Sequence, residues 1–362
     1  MNIITALTAI TAVWTAIGAI YWYLNRDKPD EEKKLIIYPL FFMLRIPYGF
    51  KSWEKYRGTI ISKAYMVFTH VSAAVSIAGI YYLFGQGIYT KYIHPPKAGS
   101  AIAGFVPVIP GVTIKGPLLY YIALAIGVGA LFHELSHAFA ARVSGIKVKN
   151  AGILLLTFIP AAFVEPDEEQ LRKASLKARA FVYNAGTAAN MAIALIALLA
   201  LYTVAMPPTG ICIMGVENGM PAMKAGLKPG DMIVAVNGTP VEKGGFTKVF
   251  PGIPPNVNFT LTVKRGSQLI NVTVWKTVKD NRSLIGISIM SGVFCSSVSL
   301  LAYSMAWINL SLAFINMAPL YITDGGRLVS DFLERYKWGK AVNHTIQLGT
   351  LIIFLSLLTI PH

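Results

Sequence analysis

Six stretches of this chain, near 4–24, 62–85, 117–142, 180–206, 294–317 and 345–361, run for roughly twenty residues with very little charge. An α-helix rises 1.5 Å per residue, so about 20 apolar residues cross about 30 Å of hydrocarbon. Lipid offers the backbone no hydrogen-bond partner, and a segment of that length must satisfy its own N–H and C=O groups as a helix. The expected fold is therefore a polytopic α-helical membrane protein with about six transmembrane helices. Composition excludes an ordinary soluble enzyme, because 54% of the residues are hydrophobic and only 14% are charged. The first stretch reads as a retained anchor, since no basic residue precedes it and no small-residue cleavage site follows it.

The net charge of +15 acquires meaning from where the basic residues fall. Segments 25–61, 144–179 and 318–344 hold eight, six and four Lys/Arg, against three in 86–116. The positive-inside rule places those three basic segments in the cytoplasm, and with them the chemistry near 133 and 324. Segment 207–293 then lies outside it, which its nine Lys/Arg do not forbid, because long translocated domains escape the rule. A nucleic-acid partner is not expected, because the basic residues flank spans and form no basic module interleaved with aromatics. Cys212 and Cys295 are too few for a disulfide framework or a cysteine metal site, and read as two unpaired small hydrophobes.

Composition changes at 207. Short alternating runs such as MIVAVNG, FTLTVKR and INVTVWK are separated by turn residues, which predicts a small β-rich domain over 207–290. It divides an N-terminal membrane region, 1–206, from a C-terminal one, 291–362. Pro221–Ala222, Ala225–Gly226–Leu227, Pro229–Gly230–Asp231 and Val236–Asn237–Gly238 make this segment resemble a PDZ domain of the kind attached to membrane and periplasmic proteases. The resemblance implies capture of an extended peptide on a sheet edge, with Leu284, Ile285, Gly286 and Ile287 nearest to the loop that would hold its terminal carboxylate. A β-module that only spaces or gates the membrane core is the simpler alternative.

The stretch FHELSHAFAARVSG, residues 132–145, carries two histidines and a glutamate inside an apolar run. His133 and His137 are four apart, so on a helix both face one side and can meet a single Zn²⁺, with Glu134 beside them. Glu134 could instead pair with Arg142 two turns on. Ionisable groups at membrane depth are costly and mark function. A hydrolytic zinc site takes three protein ligands and leaves a fourth position open. Acidic residues are so sparse that the search for the third ligand is short. Between 281 and 330 the only one is Asp324, in FINMAPLYITDGGRL, before a Gly pair that would let backbone approach the metal. A helix N-cap or turn role is its alternative. Glu165 and Asp167 are rival ligands, and His70 reads as a buried hydrogen-bonding residue.

HELSH on a membrane helix, Asp-Gly-Gly at the end of a later one and a PDZ-like insert between them resemble the site-2 proteases, intramembrane zinc metalloproteases. The likeness covers roughly 117–345. It implies that His133, His137 and Asp324 bind one zinc ion and that Glu134 is the catalytic general base. It also implies that Gly186 and Asn190, in NAGTAANMA, belong to a small-residue helix where Asn190 would bind substrate backbone or steady the oxyanion. Thr187 stands where the family commonly has proline. Asn316 and Pro319 precede Asp324 in the family's pattern, with Asn316 as a further substrate contact. The implied activity is hydrolysis of transmembrane segments of membrane proteins in regulated intramembrane proteolysis, after another protease has cut them.

Such an enzyme must unwind its substrate and replace the hydrogen bonds that the substrate helix gives up. Residues 146–164, with β-branched alternation, Gly152 and Pro160, suit a membrane-embedded hairpin or re-entrant loop. Segment 36–50, broken by Pro39, Arg45 and Pro47, is not expected to span. A catalytically silent zinc protein or chaperone would not require Glu134. A metal or solute transporter would show internal repeats, and none relates the halves of this chain.

Overall fold

The computed structural model describes residues 3–27, 34–38, 41–47, 49–95, 105–108, 113–114, 118–156, 159–204, 210–243, 245–279, 282–291 and 297–359. The chain divides into two compact units, one of Met1–Pro107, Ala123–Ala194 and Trp307–His362, the other of Val108–Ile122 and Leu195–Ala306. The change of composition at 207 thus falls inside the second unit, whose longer segment begins earlier, at Leu195 within the helix Leu176–Val204.

The chain opens with α1 (Ile3–Asn25), β1 (Leu35–Tyr38), β2 (Phe41–Ile46), a 3-10 turn over Lys51–Tyr56, and α2 (Ile60–Ile88). There follow α3 (Leu118–Val143), β3 (Val148–Leu156), β4 (Ile159–Pro166), α4 (Glu168–Lys173) and α5 (Leu176–Val204). Among the described residues, four helices are long and apolar enough to cross a membrane: Ile60–Ile93, Leu118–Val143, Leu176–Thr203 and Ser297–Met317. Exposed Tyr82, Tyr89 and Tyr92 late in the first of these, Tyr120 at the start of the second and Tyr202 at the end of the third suit the membrane–water interface.

Of the two other expected spans, one falls on α1, whose 23 residues carry no charged side chain. The other, 345–361, falls largely on the second half of α10 (Gly339–Leu357), whose buried Gln347 donates to Ser330 Oγ at 3.0 Å and Asn343 Oδ1 at 2.7 Å. Polar groups on α10 are thus spent on holding its neighbour, α9 (Asp324–Leu333).

The two segments read as too broken to span form one antiparallel sheet, in the order β1-β2-β3-β4. Two hairpins far apart in sequence are zipped together along Phe41↔Leu156 to Ile46↔Ala151. Gly152 sits in this seam, where a Cβ would lie 2.0 Å from the Leu44 carbonyl oxygen and 2.6 Å from the Phe163 ring. No other residue lets the strands approach so closely. Alongside, α3 and α5 pack through small buried residues, Ala138, Ala141 and Ala185, closed by Phe181 and by Phe50 stacked on Trp53 at 4.6 Å. Small side chains allow close helix approach where no hydrophobic drive separates helix from lipid. Arg142, 4% exposed at the end of α3, pairs with Glu54 of the 3-10 turn and not with Glu134.

The second unit contains β5 (Ile211–Val216), α6 (Pro221–Lys224), β6 (Met232–Val236), β7 (Thr239–Pro240), the short turn α7 (Phe250–Gly252), β8 (Asn258–Arg265), β9 (Gln268–Trp275), β10 (Thr277–Lys279), β11 (Arg282–Leu284) and β12 (Ile287–Ser291). Its main sheet runs β12-β5-β6-β8-β9 with β7 on β6, so β12 is an edge. Inward residues Ile213, Ile233, Val236, Leu261, Val263 and Val274 form its core. Cys212 on β5 is disulfide-bonded, which corrects the reading of an unpaired hydrophobe, while Cys295 lies outside the described residues. The helix α8 (Ser297–Met317) then leads to α9 and α10.

Candidate metal centre

His133 and His137 project from one face of α3, their rings 4.7 Å apart and at 79° to each other. Both are buried, and the Nε2 of each lies against the same atom, Asp324 Oδ2, at 3.2 and 3.3 Å. The potential ligand atoms of these three residues all lie within 4.8 Å of one another. Asp324 is the first residue of α9, whose N-cap Thr323 accepts from the Gly326 N–H at 3.2 Å. The helix N-terminus favours an ionised carboxylate there.

The Gly pair after Asp324 serves packing and not approach to a metal. A Cβ on Gly325 would lie 2.3 Å from the Met317 carbonyl oxygen, and one on Gly326 1.8 Å from that of Leu320. These contacts press the first turn of α9 onto the end of α8 and thereby fix Asp324.

The donor set suits a divalent cation. Asp324 Oδ2 is buried and makes no hydrogen bond, although two imidazoles face it. His137 turns its other nitrogen, Nδ1, to the Val182 carbonyl at 2.7 Å. A carbonyl can only accept, so Nδ1 carries the proton and Nε2 presents its lone pair towards Asp324. Two neutral imidazoles and one carboxylate leave a fourth position, the ligand set of hydrolytic zinc. Glu134, one residue on from His133, is half-buried and its Oε2 accepts the Val164 N–H of β4 at 2.9 Å.

A cavity of about 800 Å³ opens over these groups, lined by His133, Glu134, His137, Asp324, Asn316 and Val164 among others. Asn316 thus reaches the same space as the three candidate ligands. Gly186 and Asn190 do not line it. A Cβ on Gly186 would stand 2.4 Å from His133 Cε1, and Asn190, 1% exposed, has its amide 3.3 Å from His133 Nδ1. Both support the histidine ring. The rival ligands are engaged elsewhere: Glu165 pairs with Arg45 at 3.1 Å, and Asp167 caps α4 by accepting the Gln170 N–H at 3.0 Å. His70 Nδ1 lies 3.1 Å from Thr69 Oγ1.

In the second unit, Ile285 is buried in the core and its carbonyl accepts the Ala222 N–H at 2.9 Å, while the Gly286 carbonyl accepts that of Glu217 at 2.8 Å. Gly286 has φ +81° and would drive a Cβ to 2.2 Å from that of Met220. Leu284 ends β11 and Ile287 begins β12, so the four residues form a tight bend leading into the edge strand. The Val182 carbonyl and the Val164 N–H are site contacts that sequence reasoning missed. Both are backbone groups, and their residue types carry no signal.

The chain is 31% identical over 241 residues to an uncharacterized protein of Methanocaldococcus jannaschii, covering 65% of this chain and 60% of that one. A protein of Nostoc sp. whose name gives it provisionally as a zinc metalloprotease is 28% identical over 44% of this chain and 54% of its own. A protein of Pasteurella multocida, named in the same way, is 27% identical over 42% of this chain and 38% of its own. The chain therefore spans between about two fifths and three fifths of these relatives. Residues 121–360, which contain every candidate ligand, match peptidase family M50, and the chain belongs to that family, the site-2 proteases.

Proposed function

We propose that this protein is an intramembrane zinc metalloendopeptidase, which cuts peptide bonds within transmembrane segments of membrane-protein substrates. The observation that carries the reading is Glu134 beside the cluster of His133, His137 and Asp324, inside a helix apolar enough to cross a membrane. These three residues would hold one Zn²⁺, whose bound form supplies Lewis-acid polarisation and lowers the pKa of water. Glu134 takes the proton of the attacking water and returns it to the leaving amine. The Val164 N–H orients its carboxylate meanwhile. Asn316 donates to the oxygen on which charge develops, a role supported by its place on the cavity wall.

Strand β4 offers what an unwound substrate needs. The Val164 N–H points to Glu134 and away from β3, so by the alternation of an antiparallel pair Ala162 also turns its backbone groups outward. A substrate strand lying on that edge recovers hydrogen bonds it lost on unwinding. The PDZ-like unit captures the end of a substrate already cut by another protease, through the β12 edge and the bend Leu284–Ile287, in regulated intramembrane proteolysis. The protein is a multi-pass component of the cell membrane, with 207–290 outside the cytoplasm and the zinc site towards it. The Lys/Arg distribution supports this, and so does a disulfide at Cys212, which an oxidising compartment preserves.

Glu134→Gln separates metal from chemistry. The variant keeps one zinc per chain while cleavage of a transmembrane peptide falls by at least about 10²-fold. Normal turnover by this variant overturns the assignment.

A further inference from the structure

Asn190 is buried against His133, and the two ends of its amide have unequal surroundings. One end stands 3.3 Å from His133 Nδ1, while the other is buried with no hydrogen-bond partner. An amide fits the same outline in either of two orientations, with nitrogen or oxygen turned to the ring. The neighbouring groups decide between them. His133 directs Nε2 at Asp324 Oδ2, as His137 does, so Nε2 is the nitrogen on the metal side and its lone pair must be free. Nδ1 of a neutral His133 then carries the proton. An NH₂ group facing that N–H would set donor against donor, whereas the amide oxygen accepts it.

We propose that Asn190 is a positioning residue for the metal centre: its side-chain oxygen accepts the His133 Nδ1–H and so holds the ring with Nε2 directed at the ion. The centre is then built symmetrically. The Val182 carbonyl, at 2.7 Å, performs for His137 what the Asn190 amide performs for His133, and both acceptors come from α5. Gly186, one turn before Asn190, completes the cradle, since any Cβ there would strike the ring that Asn190 orients. Outer groups of this kind fix the tautomer and raise the basicity of a ligand. This inference rests on the proposed zinc centre but gives Asn190 a different part from contact with substrate.

The test compares the full-length protein in detergent with Asn190→Ala, Asn190→Leu and Asn190→Asp, using zinc competition against a chromogenic chelator and cleavage with and without excess zinc. Asn190→Ala and Asn190→Leu should weaken zinc binding about 10- to 100-fold. Asn190→Asp, an acceptor of similar shape, should stay within about threefold of wild type. Excess zinc should restore most of the cleavage lost in Asn190→Ala. Should Asn190→Leu fail to fold, the Ala and Asp variants carry the comparison. Wild-type zinc affinity in Asn190→Ala overturns the proposal, as does equal weakening in Asn190→Asp. A cleavage loss that saturating zinc leaves untouched assigns Asn190 to substrate instead. A wild-type protein that binds no zinc overturns the metal centre itself, and this proposal with it.

Discussion

Each of the two units draws an aspartate oxygen out of solvent, and the two carboxylates are treated in opposite ways. In the second unit Asp231, 1% exposed, is saturated locally: Oδ1 accepts Arg265 Nε at 2.7 Å, and Oδ2 accepts Arg265 Nη2 at 2.7 Å and the Lys228 N–H at 2.9 Å. In the first unit Asp324 Oδ2 is buried, faces two imidazole nitrogens and receives no hydrogen bond. A buried charge with every lone pair satisfied is a structural device, since removing its partners would leave an expensive unpaired ion. A buried charge left short of donors, among other lone pairs, is incomplete without a cation. The difference separates a residue that holds a fold from one that holds a cofactor.

The same substitution at both sites tests that distinction, and the larger effect is expected at Asp324. Asp324→Asn keeps the size of the side chain but removes the charge of one of three ligands. Zinc affinity should fall by more than about 100-fold, in line with loss of a first-sphere anion. The fold should hold, because Asp324 Oδ2 makes no hydrogen bond that the amide would break. Zinc titration beside a urea melt checks both halves. Zinc binding at the wild-type level would show that the three groups converge for some other reason.

Asp231→Asn should do the reverse. Arg265 loses its bidentate partner and the Lys228 N–H its charged acceptor, which costs about 2 kcal/mol within the second unit. Zinc content should be unchanged. Urea-dependent proteolysis within 210–291 of the full chain, read against metal content, measures the two effects separately. A variant that loses metal with its stability would mean that the two carboxylates are not as distinct as their surroundings.

The two regions also differ in how far the sequence announced them. His133 and His137 could be paired from sequence because the spacing of four acts through one helix and needs no other part of the chain. Asp324 was accessible for a different reason: its surroundings contain no other acid from 281 to 330, so scarcity replaced pattern. The hairpin of 146–164 showed in its alternation and turn residues. Its continuation into β1 and β2 did not, because the seam at Arg45↔Gly152 joins residues more than a hundred positions apart with no local signature. Asn190 and Gly186 were reached only through the likeness of NAGTAANMA to a small-residue helix of the site-2 proteases. Their contact with His133 depends on how α5 lies against α3, which no spacing within α5 encodes. The absence of α10 from the four apolar helices found among the described residues has a plainer cause, since Lys340, Asn343, His344 and Gln347 in its first half lower its average hydropathy.

Lys276 offers the smallest test of the same contrast, and its sign can be worked out. It is 2% exposed, donates to the Ile253 carbonyl at 3.0 Å and to that of Phe250, and lies 4.3 Å from the centre of the Phe250 ring. Burial pushes its ammonium below the ordinary lysine range. In the unfolded chain it titrates near about 10.4, so between the lowered folded value and that figure the unfolded state binds more protons. Stability of the second unit should therefore rise with pH through that window and be indifferent to pH below it, as far as this group is concerned. The gain should not exceed about 1 kcal/mol, since carbonyl contacts and the ring favour the charged form that burial opposes. Urea-dependent proteolysis of the second unit at neutral pH and at about pH 9.5, in wild type and Lys276→Met, reads the difference. The wild type should gain more than the variant. An equal change in both would mean that the two carbonyls and the ring compensate fully for burial, making Lys276 as completely satisfied as Asp231.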